Sequence, residues 1–172
     1  MALIKDRKPV QDRWQLLEAG AEGALPSVPA TGDVIVPFAA WQAQRAELLA
    51  RKSGLGVWLS GAHDPADVAH DLEHFQVIAV HFPSFTDGRG YSTGRLLRQR
   101  YGWTGELRAI GDVQRDQLFY LARCGFDAFQ LREGADVEAA LQAFNDFSES
   151  YQASVERPLP LFRRRETAGS RA

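Results

Sequence analysis

From residue 34 onward, short apolar runs alternate with segments of helical spacing. The runs are VIVPF (34–38), LGVWLSG (55–61), VIAVHF (77–82), ELRAIG (106–111) and DAFQL (127–131). Between and after them lie AAWQAQRAELLARKSG (39–54), DPADVAHDLEHF (64–75), TGRLLRQRYG (93–102), VQRDQLFYLARCG (113–125) and DVEAALQAFNDFSESY (136–151). Strands that alternate with helices stack as a parallel sheet with right-handed crossovers. Runs that are apolar throughout fit strands covered on both faces. The pattern predicts an α/β fold with a mainly parallel sheet of about five strand–helix units. A closed barrel needs eight such units and about 200 residues. A chain of 172 residues is therefore read as an open doubly wound sheet or a partial, barrel-like one.

Local signals sharpen the segment ends. Asp64 and Pro65 suit the N-cap and first position of a helix. Gly54, Gly102 and Gly125 suit helix stops. Val68, Leu72 and Phe75 form one apolar stripe, and Val137, Leu141, Phe144, Phe147 and Tyr151 form another. Residues 1–30 contain glycines and prolines that forbid a long helix, and are read as a short N-terminal β extension. There WQLL (14–17) is expected to be a strand, paired with Ala2–Ile4 as an edge hairpin. The expected domain is 1–155, followed by a flexible tail over 156–172. Leu159, Leu161 and Phe162 give that tail an apolar docking peptide as a second reading.

Composition narrows the function classes. The net charge of −2 argues against sequence-blind nucleic-acid binding. Lys5, Lys8 and Lys52 are the lysines, and arginine supplies the rest of the twenty positive side chains. Arginine suits forked contacts to oxyanions. A single cysteine, Cys124, excludes an internal disulfide or a cysteine-based metal site within one chain and fits a reducing compartment. No apolar stretch reaches the roughly 18 residues of a membrane span, and the N-terminus lacks a signal-peptide core. The expectation is a cytoplasmic protein, with no nucleic-acid or membrane partner.

Ligands of parallel sheets gather at the carboxyl ends of the strands. That rule selects Ser60 and His63, then His81 with the loop after the third run, Asp112 and Gln114, and finally Arg132 and Glu133. The loop FPSFTDGRGYSTGR (82–95) is the longest of these. Gly88 and Gly90 permit positive φ and close backbone approach. Ser92 or Thr93 can cap a following helix whose free N–H groups attract anions. Arg89 and Arg95 add forked donors. The other reading is a tight turn at Asp87-Gly88 with solvated arginines. GRGYSTG also approximates a dinucleotide fingerprint, but Pro83–Asp87 separates it from the strand. His81 and Asp112 are acid–base candidates if their strands are neighbours, and a structural histidine bonded to the loop backbone is the alternative. His70 and His74 have helical metal-ligand spacing, yet point away from the apolar stripe and are read as solvated. Cys124 sits at a helix C-terminus, which opposes a thiolate. No metal site is expected, and the residues name no cofactor.

The string FPSFTDGRGYS…RLLRQRYGWTGELRAIGDVQRDQLFYLARCGFDAFQL (82–131) closely resembles the bacterial family of unknown function numbered 934. The resemblance implies a link to sulfate and sulfite assimilation, and it brings an oxidoreductase label. It implies shared positions at Phe82, Pro83, Thr86, Asp87, Gly88, Arg89, Gly90, Tyr91, Ser92 and Arg95, then Gly105–Arg108, Gly111, Asp112, Asp116 and Gln117. Two functions are therefore expected. One is an accessory protein of sulfite reduction, which binds a small anionic ligand or the sulfite reductase through residues 82–95 with Asp112, Asp116 and Gln117. The alternative is an oxidoreductase for a small anionic substrate, with His81 and Asp112 as acid and base.

Overall fold

A computed structural model describes residues 1–20 and 24–169. Residues 21–23 of the N-terminal segment and the last three residues of the expected tail lie outside the described residues.

The chain forms one eight-stranded sheet with the order β2-β1-β8-β7-β6-β5-β4-β3. Its strands are β1 (Ala2–Lys5), β2 (Lys8–Val10), β3 (Trp14–Leu16), β4 (Asp33–Pro37), β5 (Leu55–Ser60), β6 (Val77–Phe82), β7 (Glu106–Gly111) and β8 (Ala128–Leu131). Strands β3 to β8 run parallel and in sequence order. Only β1, against β8, and β2, against β1, are antiparallel.

The order never reverses, so right-handed crossovers place the first α-helix after each of β4, β6, β7 and β8 on the same face. The doubly wound alternative is thereby set aside in favour of the partial barrel. The helices are α1 (Phe38–Leu49), α2 (Arg89–Gln99), α3 (Leu118–Arg123) and α4 (Val137–Ala143), and α5 (Leu161–Gly169) lies in the expected tail. Val34, Val36, Val57, Leu59, Ile78, Val80, Leu107 and Phe129 share one core with Trp41, Leu48, Leu97, Leu118, Leu121 and Ala140 of the helices. The opposite, concave face holds a smaller cluster of Ile35, Val77, Ala79 and Ile110, packed by Trp14, Leu16 and Trp58.

The N-terminal reading needs correction. WQL forms β3, which pairs in parallel with β4 and not with residues 2–4. Ala2–Lys5 pairs with β2 and β8. The hairpin turn of Asp6 and Arg7 has positive φ at both positions, 50° and 61°, the two-residue geometry that matches strand twist.

This topology fixes the curvature. In a flat sheet, β2 and β3 would stand about 34 Å apart at ordinary strand spacing. The chain from Val10 to Trp14 can span only about 14 Å. The sheet must therefore curl into a half-barrel whose edges are strapped together by Gln11, Asp12 and Arg13. An ion cluster fastens the strap from inside. Arg108 of β7 is 1% exposed. Its Nη1 donates to Asp12 at 2.8 Å and its Nε to Glu106 at 2.7 Å. Lys5 Nζ donates to the other oxygen of Glu106 at 2.8 Å. The second Asp12 oxygen accepts the Trp14 N–H at 3.0 Å, which turns the strap into β3.

Several helices differ from their sequence spacing. Helix α1 ends at Leu49, and Gly54 starts β5 by donating its N–H to Asp33. Residues 64–75 form two 3-10 turns, although Asp64 does accept from Ala66 N at the first. Helix α4 stops at Ala143, leaving Phe147 and Tyr151 exposed. The chain beyond it folds back on α3 through Val155 N to Arg123 O and Arg123 to Gln152 O. Among the described residues, no helix is long and apolar enough to cross a membrane.

Arg108→Ala leaves Glu106 buried without its main partner, a change that costs about 3–5 kcal/mol for such pairs. Urea unfolding should show that loss. Asp12→Ala should cost less, because Asp12 is more solvated than Glu106.

Candidate functional site

The carboxyl ends of β5 to β8 meet at one mouth of the half-barrel, and the long β6–α2 loop lies along its outer rim. Helix α2 begins at Arg89, four residues before its expected start. The reason is packing. A Cβ on Gly90 would lie 2.6 Å from the Phe82 ring, and one on Gly94 would collide with the Phe126 ring. The two glycines let α2 settle on the sheet, and neither has the positive φ expected for Gly90. Gly88 is the N-cap at φ −85°, also without positive φ, and Ser92 and Thr93 lie within the helix and do not cap it. The dinucleotide-like spacing is therefore explained by close helix–strand contact.

The loop supplies its own anion. Asp87 Oδ1 accepts from the backbone N–H of Arg89 at 3.2 Å and from its Nε at 2.9 Å. Asp87 Oδ2 accepts from Arg89 Nη2 at 2.6 Å. The Arg89 guanidinium holds the Asp87 carboxyl well below its ordinary value, at about 2. Arg95 bonds Gln99 along the outside of α2 and does not join the loop. Thr86 Oγ1 meets Ser84 Oγ at 3.1 Å.

The remaining candidates pin this loop to the β7–α3 connection. Asp112 Oδ2 accepts the Phe85 N–H at 2.9 Å, and Oδ1 accepts from Gln114 Nε2 at 3.2 Å. Gln117, 6% exposed, donates to Phe85 O and accepts the Gln114 N–H in a capping box. Gln117 also bonds Tyr91, whose hydroxyl pKa is pushed up mainly by burial. Tyr91 packs edge-on to Phe82 and against Tyr120. The Asp116 side chain makes no hydrogen bond or ion pair with the described residues. Phe85 and Tyr120 remain 45% and 52% exposed. Thus Asp112, Gln117 and Tyr91 brace a loop that presents Phe85, while Tyr120 is exposed against Tyr91.

His81 is elsewhere. It lies on the concave face, with its ring 5.6 Å from that of Trp58, and no hydrogen bond or ion pair joins it to Asp112. The neighbouring strands expected for this pair are present, but Asp112 follows Gly111, whose φ of 93° turns the chain outward. His63 closes its own turn by accepting the Ser60 N–H at 2.9 Å. His70 and His74 fall on broken turns and share no helix face, and His74 is tucked against Trp41. No group of three metal-ligating side chains occurs among the described residues. Burial pushes the Cys124 thiol pKa up, so it stays protonated.

His81 instead lines a cavity of about 460 Å³ inside the mouth, together with Leu16, Trp58, Ile110, Gln130 and Arg132. His81 and Arg132 followed from the strand-end rule. Leu16 and Trp58 did not, because β3 had been placed outside the main sheet and Trp58 is a lone aromatic within an apolar run.

The fold and rim define a class: a curled α/β half-barrel with a braced loop and an apolar cavity at the carboxyl ends of its parallel strands. Residues 56–162, more than half of the chain, match the family described as bacterial protein of unknown function (DUF934), and the chain belongs to that family. No curated protein and no solved structure shows a significant match.

The folded-state pKa of Asp87 is depressed, so the Asp87–Arg89 pair contributes fully above the ordinary 3.8 and is lost as the pH falls through about 2. A carbon-detected NMR titration should place the Asp87 midpoint near 2 in the native protein and return it toward 3.8 in Arg89→Ala.

Proposed function

We propose that this protein is an accessory protein of sulfate and sulfite assimilation that docks on the sulfite reductase through the 82–95 rim loop. The pathway follows from the resemblance described above. One observation carries the mode of action: Asp87 and Arg89 neutralise each other within the loop, whereas its aromatic tip is braced and exposed. Asp87 already occupies the position an oxyanion would take at the start of α2, which disfavours capture of a free small anion there. A rigid aromatic with satisfied backbone partners loses little entropy on docking, and such residues dominate the energy of protein interfaces. Phe85 and Tyr120 are the contacts on this reading, while Asp112 and Gln117 are positioning residues.

The second reading is an oxidoreductase, and His81 in the 460 Å³ cavity supports it. On that reading His81 acts without Asp112, whose carboxylate is committed to Phe85 and Gln114.

The test is binding of purified sulfite reductase to the immobilised protein. Phe85→Ala should weaken binding about thirtyfold, as expected of a central aromatic contact. Asp112→Ala should weaken it through loosening of the loop, visible as faster hydrogen exchange at the Phe85 amide. Equal binding by wild type and Phe85→Ala, or no binding at all, removes the docking reading. Turnover lost in His81→Gln with docking intact favours the enzyme.

A further inference from the structure

The cavity inside the mouth has a chemistry of its own, and the inference drawn from it does not rest on the docking proposal. Its closed end is built by the register of the sheet. Trp58, Ala79 and Arg108 lie side by side across β5, β6 and β7, and the Arg108 guanidinium is consumed by Asp12 and Glu106 on the strap side. One step toward the mouth, Ser60, His81 and Ile110 form the next row. The cavity opens above that row, with Leu16, Trp58 and Ile110 as apolar lining. The Trp58 indole N–H donates to Leu17 O at 2.8 Å, so the ring is locked in place and needs no ligand to satisfy it.

The mouth carries three charged side chains that the fold does not use. Arg132, Glu133 and Glu18 all line the cavity and are exposed. No side chain of the three makes a hydrogen bond or ion pair with the rest of the described chain. Most other arginines are tied, as Arg89 is to Asp87, Arg115 to Asp146 and Arg98 to Asp127. Arg132 therefore stands ready for a carboxylate. Met1, whose α-ammonium is a further positive charge, also lines the cavity, so charges of both signs stand at the entrance and neither a plain anion nor a plain cation meets them all. A ligand that carries both a carboxylate and an ammonium group, on a flat apolar body, matches all parts at once. The volume of about 460 Å³ lies within the range of small-molecule sites and admits such a molecule with water to spare.

We propose that the mouth of the half-barrel is a binding site for an α-amino acid with a large apolar or aromatic side chain. Arg132 takes the carboxylate, Glu18 and Glu133 the ammonium group, and Trp58, Leu16 and Ile110 the side chain. Gln130 and His81 supply the remaining polar contacts.

Calorimetry with phenylalanine on the full chain tests this. Three truncated probes accompany it: hydrocinnamate lacks the ammonium group, phenethylamine lacks the carboxylate, and glycine lacks the apolar body. Phenylalanine should bind saturably and raise the melting temperature by mass action. Each truncated probe should bind roughly tenfold more weakly or worse. Arg132→Ala should erase the preference for phenylalanine over phenethylamine, and Glu18→Gln with Glu133→Gln should erase that over hydrocinnamate. These side chains are exposed, so the variants should fold as the wild type does, and circular dichroism checks that they do. The proposal is overturned by the absence of saturable phenylalanine binding up to about 10 mM. Hydrocinnamate or phenethylamine binding as tightly as phenylalanine overturns it too, as does an affinity unmoved by either set of variants.

Discussion

Three residues between β2 and β3 hold the architecture in shape. These two strands are the edges of the sheet, and the chain joins them through Gln11, Asp12 and Arg13 alone. Twist by itself bends a sheet but leaves its edges apart. Here the covalent link sets an upper limit on their separation, and Asp12 enforces it by bonding Arg108 in the middle of the sheet. Full closure would remove the edges, but the strap leaves a gap and pays for it with a buried ion cluster. Such clusters rarely add net stability compared with apolar packing. What the Lys5–Glu106–Arg108–Asp12 set supplies is register: it fixes which residue of β1, β7 and the strap meet, and so fixes the height of the floor inside the half-barrel.

The sequential strand order then determines where helices and ligands can go. With helices α1 to α4 on the convex side, the concave side is left with a thin apolar lining and whatever the strand ends and the N-terminal segment lay over it. Residues 16–19 cross the mouth because β3 is the last strand of the curl, and Trp58 anchors them through Leu17 O. On the convex side the limiting quantity is distance. Helix α2 lies so near β6 that residue 90 has room for nothing beyond glycine, and the Phe126 ring ahead of β8 leaves residue 94 no more. Glycine within a helix costs about 1 kcal/mol relative to alanine, and contact with Phe82, Val80 and Phe126 offsets that cost. The same close seating pulls the start of the helix back to Arg89, shortens the loop, and leaves Asp87 where it closes on Arg89.

Much of this was legible in the sequence, for definite reasons. Strands β6 and β7 match their apolar runs, β5 and β8 fall within theirs, and β4 starts and ends one residue earlier than its run, because a buried parallel strand announces itself by continuous hydrophobicity. The half-barrel alternative followed from unit count and length. Strands β1 to β3 were illegible as partners because each has three or four residues, and their pairing is decided by chain closure and not by local pattern. Helix α4 ended early because periodicity continues through Phe144 and Phe147 while the backbone turns toward α3, a tertiary choice that no local signal records. Arginine richness pointed toward anion binding, but the forked donors largely serve the fold. Arg98 alone satisfies the carbonyls of Gly125, Trp103 and Gly105 and the carboxylate of Asp127. The rim position of His81, Asp112 and Arg132 was readable from strand ends, whereas which side of the sheet each would face was not.

That last distinction separates the two sites at this end of the molecule. His81 and Phe82 are consecutive, and consecutive residues of a strand point to opposite faces. His81 enters the cavity, and Phe82 supports Tyr91 and Gly90 under the rim loop. The same parity puts Arg108 inside and Leu107 outside on β7. His81 on the concave face and Asp112 beyond the end of β7 therefore form no hydrogen bond or ion pair with each other, even though their strands are neighbours. The rim loop and the cavity share the end of β6 as a common wall, yet no side chain of that wall serves both. The two proposed sites therefore use different side chains, and each can be tested by substitutions that leave the other's residues in place.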